Sequence, residues 1–481
     1  MKTNVESNGC VTQSERSGGQ PCPQNVKHDK GSLIVSFAPR ADMAVRCSSV
    51  SATRLSDSAE LSRRQFLKSS TAVAVTAPFI ASSGFAQVSP GETLRVGLIG
   101  CGGRGTGAAA QALAADSNVK LVALGDAFKD RLESSLDTLQ KQKEIAEKIE
   151  VPEARRFVGF DAYKEVIERS DVVLLATPPH FRPIHLKAAI DAGKHVFAEK
   201  PVAVDAPGIR AVFATCEEAR RKKLSVVSGL AMRYSFAHRE TVKRIHEGAV
   251  GEIRALQAND FRGPIWVKPR QPGWTEMEYH MHNWYYFTWL SGDFNVEQHV
   301  HMLDTCSWIM KDEYPISAMG LGGRQVRTGP EYGNIYDHHS VIYEYANGVK
   351  LNAHCRQWSG GVNDISTHIA GSKGTALIST RALEITTDTK WRYDGQKNVG
   401  QQTEHDELFA SIRNGKPINN GDYMTKTTLM AIMGRMATYT GQKITWEQAL
   451  NSKENLSPER YDWDAKPPKS EVAIPGVTKF I

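Results

Sequence analysis

Three glycines, Gly100, Gly102 and Gly105, stand at G-x-G-x-x-G spacing in the run Gly100-Cys101-Gly102-Gly103-Arg104-Gly105. That spacing carries chemistry only between a buried strand and a helix. Leu94–Ile99 reads as the strand, and 106–115 as an Ala-rich helix. In that setting Gly100 permits the tight turn, Gly102 lets the backbone approach a pyrophosphate, and Gly105 lets the helix pack closely. The helix N-terminus then faces the negative charge, with Gly103 and Arg104 in the same turn. The next strand, 119–125, ends in Asp126. A carboxylate there accepts hydrogen bonds from a ribose 2′-OH and repels a 2′-phosphate. NAD is therefore favoured over NADP, although Arg131 close by keeps NADP open.

Two further groups have reactive types. In Glu199-Lys200-Pro201, Pro201 biases Lys200 toward an extended backbone, which would hold its ammonium at the mouth of the cofactor crevice. Taken alone, such a lysine is more often a surface residue. In Glu297-Gln298-His299-Val300-His301-Met302-Leu303-Asp304, positions 297, 301 and 304 are i, i+4 and i+7. One continuous helix would present all three on a single face, with His299 on the other side. His301 alone is more often a packed interior histidine. The His-x-His spacing splays the rings apart on a helix, so no metal site is expected.

The elements that must position these groups follow an α/β alternation. A strand at 171–176 runs into Thr177-Pro178-Pro179-His180, a helix at 184–192 leads to a strand at 194–198, and a last strand lies at 224–228. Repeated strand–helix units predict a doubly wound parallel sheet, with ligands at the carboxyl ends of its strands. Thr177, Pro178, His180, Glu199 and Lys200 would then join the glycine turn as cofactor-binding residues.

The chain has 481 residues, 41% hydrophobic and 23% charged, with a net charge of +6. Residues 1–86 hold 10 Lys/Arg against 6 Asp/Glu, which leaves +2 for the rest. A near-neutral body gives no reason to expect nucleic acid as a partner. Cys101, Cys216, Cys306 and Cys355 are far apart, which argues against a zinc site or a disulfide framework. After the leader no run reaches about 18 apolar residues, so no stable membrane anchor is expected.

Ser62-Arg63-Arg64-Gln65-Phe66-Leu67-Lys68, a mildly apolar stretch at 69–86 and the ending Gly84-Phe85-Ala86 together resemble a twin-arginine export signal. The expectation is a protein exported through the twin-arginine machinery, to the periplasm or otherwise out of the cytoplasm. Residues 1–61 are polar and Ser-rich, and read as a disordered leader or a misassigned start.

Gly100–Gly105, Ala176-Thr177-Pro178-Pro179-His180, Asp191-Ala192-Gly193-Lys194-His195-Val196 and Glu199-Lys200-Pro201 together resemble the glucose–fructose oxidoreductase / inositol dehydrogenase / rhizopine catabolism (Gfo/Idh/MocA) family. The resemblance runs on through Gly248-Ala249-Val250-Gly251-Glu252-Ile253, Gly371-Ser372-Lys373-Gly374-Thr375 and Tyr439-Thr440-Gly441-Gln442, covering roughly 94–450. It implies an N-terminal Rossmann domain and a C-terminal α/β domain. The second domain's open, mostly antiparallel sheet faces the nicotinamide and often mediates dimers or tetramers. Most members oxidise or reduce hydroxyls on sugars, inositols and related molecules.

The family's lysine matches Lys200. Its Asp-x-x-x-His-x-x-Asp helix matches 297–304, with Glu297 where Asp is usual. The implied roles are His301 as acid/base, Lys200 as orienting and electrostatic partner, and Glu297 as the group that tunes them. Substrate-facing candidates are Arg233, Tyr234, His280, His282, Trp284, Tyr285 and Asp304. The expected organisation is a Rossmann domain at 93–230, a substrate and oligomerisation domain at 231–425, and a C-terminal helix and extended arm at 426–481. The expected activity is an oxidoreductase with tightly bound NAD, acquired before export, in a homodimer or homotetramer. A glycoside-cleaving enzyme working by oxidation, elimination and reduction is the alternative, and a non-catalytic sugar- or nucleotide-binding protein a third reading. Because an export signal normally lies near the true start, expression from Met43 is expected to retain normal export, measured by fractionation; loss of export would contradict a misassigned start.

Overall fold

Short runs of β-branched and leucine residues, each flanked by helix-forming sequence, build a six-stranded parallel sheet. Its strands are β1 (Leu94–Ile99), β2 (Val119–Asp126), β3 (Arg156–Val158), β4 (Val172–Leu175), β5 (His195–Ala198) and β6 (Val226–Ser228), in the order β3-β2-β1-β4-β5-β6. The computed structural model describes residues 91–481. The expectations for 1–61 and 62–86 lie outside the described residues. Strand order reverses between β1 and β4, which opens a crevice at the carboxyl edge of the sheet. The helices Gly103–Ala115, Arg182–Asp191 and Ala206–Arg221 cover its faces.

The second sheet has nine strands, mixed and mostly antiparallel. They are β7 (Ile253–Arg262), β8 (Ser317–Gly323), β9 (His338–Glu344), β10 (Lys350–Gln357), β11 (Asp364–Gly371), β12 (Thr375–Ser379), β13 (Leu383–Thr386), β14 (Lys390–Arg392) and β15 (Ile444–Thr445). Their order is β14-β13-β12-β11-β7-β10-β9-β8-β15, and only β7 and β10 run parallel. One face buries Leu256, Ala258, Val341, Tyr343, Leu351 and Ala353 against the helices Val300–Ile309 and Gly421–Thr440. The latter is buried nearly all round, as expected of a helix enclosed by protein on every side.

Two findings differ from the sequence reading. The segment 400–420 packs on the Rossmann side: Leu408, Phe409 and Ile412 join the core of β1, β2 and β4. The stretch 297–304 is not one helix either. Phe294–Glu297 ends, Gln298 and His299 intervene, and Val300–Ile309 begins anew.

That break parts Glu297 from His301 and Asp304, which share the second helix, and Asp304 is engaged elsewhere. Asp304 is buried and accepts from Arg233 Nε at 2.9 Å and Nη2 at 2.9 Å, and from Thr427 Oγ1 at 3.1 Å. Arg233 also reaches Asp312 at 2.6 Å and stacks over Tyr423. Tyr234 donates to Asn420 Oδ1 at 2.7 Å, and the same oxygen receives the Ser228 N–H. Arg233, Tyr234 and Asp304 therefore tie the domain junction together and do not face a substrate. Arg233→Met would leave Asp304 buried without its cation, an error that costs about 3–5 kcal/mol. We expect a correspondingly lower denaturant midpoint; a parent-like midpoint would mean that the pair does not hold the junction.

Candidate active site

The turn between β1 and the helix Gly103–Ala115 is built by glycine for steric reasons. Gly100 has φ +96°, and a Cβ there would lie 2.5 Å from the Thr177 amide nitrogen. A Cβ on Gly105 would lie 1.8 Å from the Gly100 carbonyl oxygen. Gly102 and Gly103 instead face open space, with nothing within 4 Å of a Cβ. The turn thus presents bare backbone and a helix N-terminus to a cleft of about 540 Å³, a ready anion site. Asp126, at the end of β2, lines the same cleft. Its oxygens accept the Cys101 N–H at 2.6 Å and the Phe128 N–H at 2.9 Å. A carboxylate so held keeps free lone pairs for a sugar hydroxyl. Thr177, Pro178 and Phe181 form the wall beyond β4, and Trp266, Lys268, His282 and Trp284 close the cleft from the second domain. These residues fit a dinucleotide, with pyrophosphate at the turn and ribose at Asp126.

One strand further along the carboxyl edge, Lys200 follows β5, and the Lys200–Pro201 peptide is cis. Its ammonium donates to the Glu297 carbonyl oxygen and, at 3.0 Å, to Glu297 Oε1. Both side chains are largely enclosed, at 12% and 10% exposure. His301, the second residue of the helix Val300–Ile309, lies near them. Burial, and then the positive charges of Lys200 and Arg262, hold its imidazole well below the usual histidine range. The ring is therefore neutral near pH 7 and able to accept a proton. Glu297 Oε2, His301 Nδ1 and the Tyr285 hydroxyl are buried with no hydrogen-bond partner in the protein. An unsatisfied buried polar atom costs about 1–3 kcal/mol, so three close together mark a place built for a polar ligand.

The structure therefore brings Lys200, Glu297 and His301 together, with Tyr285 near enough for the Glu297 charge to raise its pKa further after burial. It leaves other candidates elsewhere. Glu199 is buried and accepts from Arg104 Nε. It holds the glycine turn and does not line the cleft. His180 is buried behind the wall, 2.8 Å from the Tyr461 hydroxyl, and burial lowers its pKa to about 4. His280 accepts from the Trp289 indole at 3.1 Å and stacks on Phe287. These two histidines act through packing because aromatic side chains surround them. His282 does reach the cleft, but on the cofactor side, stacked 4.0 Å from Phe128.

Three functional groups escape sequence reasoning. Arg182, only 3% exposed, donates to the carbonyl oxygens of Thr177, Glu199 and Lys200. It welds the loops after β4 and β5 and so fixes the Lys200 backbone, while burial lowers its own pKa to about 10. Its only sequence signal is a charged residue opening a half-buried helix. Asp260 and Arg262, at the end of β7, form an ion pair whose charges act on Lys200, Glu297 and His301. Trp266 and Lys268 come from an irregular segment with no periodicity to read. Among the described residues, no group of three or more His, Cys, Asp or Glu could hold a metal ion, and no helix is long and apolar enough to cross a membrane.

A cleft shaped for a dinucleotide, with a lysine, a carboxylate and a neutral histidine gathered one strand further along the same sheet edge, fits a nicotinamide-dependent oxidoreductase. Residues 94–228 match the oxidoreductase family with NAD-binding Rossmann fold, and residues 238–377 match the GFO/IDH/MocA C-terminal domain. The chain belongs to the Gfo/Idh/MocA family of NAD(P)-dependent oxidoreductases. An inositol 2-dehydrogenase of Cereibacter sphaeroides is 28% identical over 293 residues, 60% of this chain and 74% of that protein. A glycosyl hydrolase family 109 protein of Porphyromonas gingivalis is 31% identical over 166 residues, 34% of this chain and 33% of that protein. The crystal structure of aldose-aldose oxidoreductase from Caulobacter crescentus complexed with glycerol has the same fold. Its TM-score is 0.59 at 20% identity, covering 74% of this chain and 100% of that one.

The electrostatics around His301 fix the sign of a pH effect. Nearby cations oppose its protonation, so the acid limb of kcat/KM is expected below pH about 6.5. Arg262→Met removes one such cation and should move that limb upward. A limb that stays in place would show that the Arg262 charge does not act on the base.

Proposed function

We propose that the protein oxidises or reduces a hydroxyl of a sugar, inositol or related carbohydrate, using a retained NAD. The observation that carries this reading is the Lys200 ammonium on Glu297 beside neutral His301, next to the dinucleotide cleft. A bound nicotinamide dinucleotide supplies the hydride acceptor or donor. His301 takes the hydroxyl proton in the oxidative direction and returns it in the reductive one. Lys200 hydrogen-bonds the reacting oxygen and stabilises its alkoxide-like form, and Glu297 holds the ammonium in place. Trp266 and Trp284, 6.3 Å apart, offer flat faces suited to C–H patches of a carbohydrate. Asp126 supports NAD over NADP through its acceptance of ribose hydroxyls. Likeness to the inositol 2-dehydrogenase supports a polyol substrate.

Likeness to the glycosyl hydrolase family 109 protein supports a second reading: cleavage of a glycoside by transient oxidation at the same three residues. We further infer export through Arg63 and Arg64, which lets a folded chain carry its cofactor out. Self-association is part of the same reading. Met319 and Ile342, cross-strand neighbours 50% and 38% exposed, and Leu321, 65% exposed, give the outer face of β8 and β9 an apolar patch, as homodimer or homotetramer interfaces require.

A panel of sugars, inositols and aryl glycosides, assayed with and without added NAD, tests the function. Oxidation coupled to NADH formation is expected for at least one polyol, and His301→Asn should lower kcat about 10²–10⁴-fold. Aglycone release with no net change in nucleotide would favour the second reading, and a fully active His301→Asn enzyme would remove His301 from the mechanism.

A further inference from the structure

After its last helix the chain does not leave the molecule. It crosses from the second domain to the rim of the cofactor cleft and back. Leu456 N–H donates to Asp205 Oδ2 at 2.9 Å, near the start of the helix Ala206–Arg221. Tyr461 then donates to or accepts from His180 Nε2 at 2.8 Å, and its ring lies 5.7 Å from that of Phe181. Trp463 packs 4.6 Å from Phe160 and 5.1 Å from Phe128. On the return path the Glu471 and Ala473 carbonyl oxygens accept from Asn334 and Tyr336, and Gly476 N–H donates to the Thr440 carbonyl at 2.9 Å. The Ile481 carbonyl oxygen finally accepts from Ser452 Oγ at 2.6 Å, which closes the loop.

Apart from Asp205 and Arg210, which hold its start, the loop's aromatic contacts with the first domain fall on Phe128, Phe160 and Phe181, all of which line the cleft, and on His180 beside them. Phe128 matters most, because its N–H holds Asp126 Oδ1 and its ring stacks on His282 of the second domain. A force on Phe128 is therefore a force on the carboxylate that faces the ribose. The two ring contacts of Trp463 place an indole against Phe128 and Phe160 without itself lining the cleft.

We propose that the arm 452–481 is part of the cofactor site, and that Trp463 and Tyr461 are positioning residues that slow the exchange of the dinucleotide. They act through Phe128, Phe160 and His180 without touching the reacting atoms. The proposal rests on the reading of the cleft as a nicotinamide dinucleotide site, and goes beyond it by assigning retention to a segment outside both family-matched regions. Binding energy alone does not make a cofactor resident, since residence is set by the dissociation rate, and a wall pinned from behind by both domains slows that step.

The test is the rate at which the full-length protein, loaded with NADH, releases it on dilution into excess NAD, followed by nucleotide fluorescence. Trp463→Ala is expected to speed release at least tenfold, Trp463→Phe to restore most of the parent's slowness, and Tyr461→Phe to give a smaller acceleration. The melting temperature of the nucleotide-free variants separates retention from general loosening: the effect should appear in release while melting changes little. Hydrogen exchange at 456–465 in the unaltered protein gives a second readout, with slower exchange expected when NADH is bound. Trp463→Ala releasing NADH at the parent rate, or exchange at 456–465 indifferent to NADH, would overturn the proposal and leave the cofactor reading intact. A parent protein that takes up no NADH would overturn both.

Discussion

Everything distinctive about this molecule depends on one buried ion pair, Lys200 with Glu297, formed between its two domains. Each partner alone would be an uncompensated charge in an enclosed site, so neither domain presents its reactive group properly without the other. The pair sets how close the Rossmann sheet and the nine-stranded sheet must come at the reaction centre. It also keeps an ammonium where a substrate oxygen would develop charge. The surrounding structure serves that geometry: Arg182 fixes the Lys200 backbone from the first domain, and the break after Glu297 frees His301 to stand beside the pair.

Charge is distributed around this centre with a clear division of labour. Burial first, and then the cationic neighbours Lys200 and Arg262, keep His301 neutral, which suits a base. Asp260 offsets Arg262, so the second cation does not simply add to the first. Farther out, the Arg233–Asp304–Asp312 network does the same work for stability, holding the domain junction without entering the site. A carboxylate at 304 and one at 297 therefore have opposite uses seven residues apart, because the helix is interrupted between them.

The Rossmann half was legible because its signals are local. A glycine turn between a strand and a helix, an acid at the next strand end and a Glu-Lys-Pro after a later strand can each be read within a few residues. Lys200, Glu297 and His301 were found through the resemblance, and the structure brings them together. What escaped depends on long-range contact. Asp304 and Arg233 look reactive in sequence but neutralise each other across 71 residues. Arg182 looks like a surface charge until the two carbonyl-lined loops close over it. The second domain's aromatic cluster was visible as composition, yet only packing decides that His280 is interior while His282 and Trp284 reach the cleft. An extended arm within 426–481 was expected from the sequence, but not its route to the wall behind Asp126.

The most direct measurement is to purify the folded protein, denature it, and identify and count the nucleotide released by mass spectrometry, before and after incubation with NAD. One NAD or NADH per chain is the expected result. A chain that carries no nucleotide and takes up neither NAD nor NADP on incubation would contradict the assignment of the cleft, and with it the roles given to Lys200, Glu297 and His301.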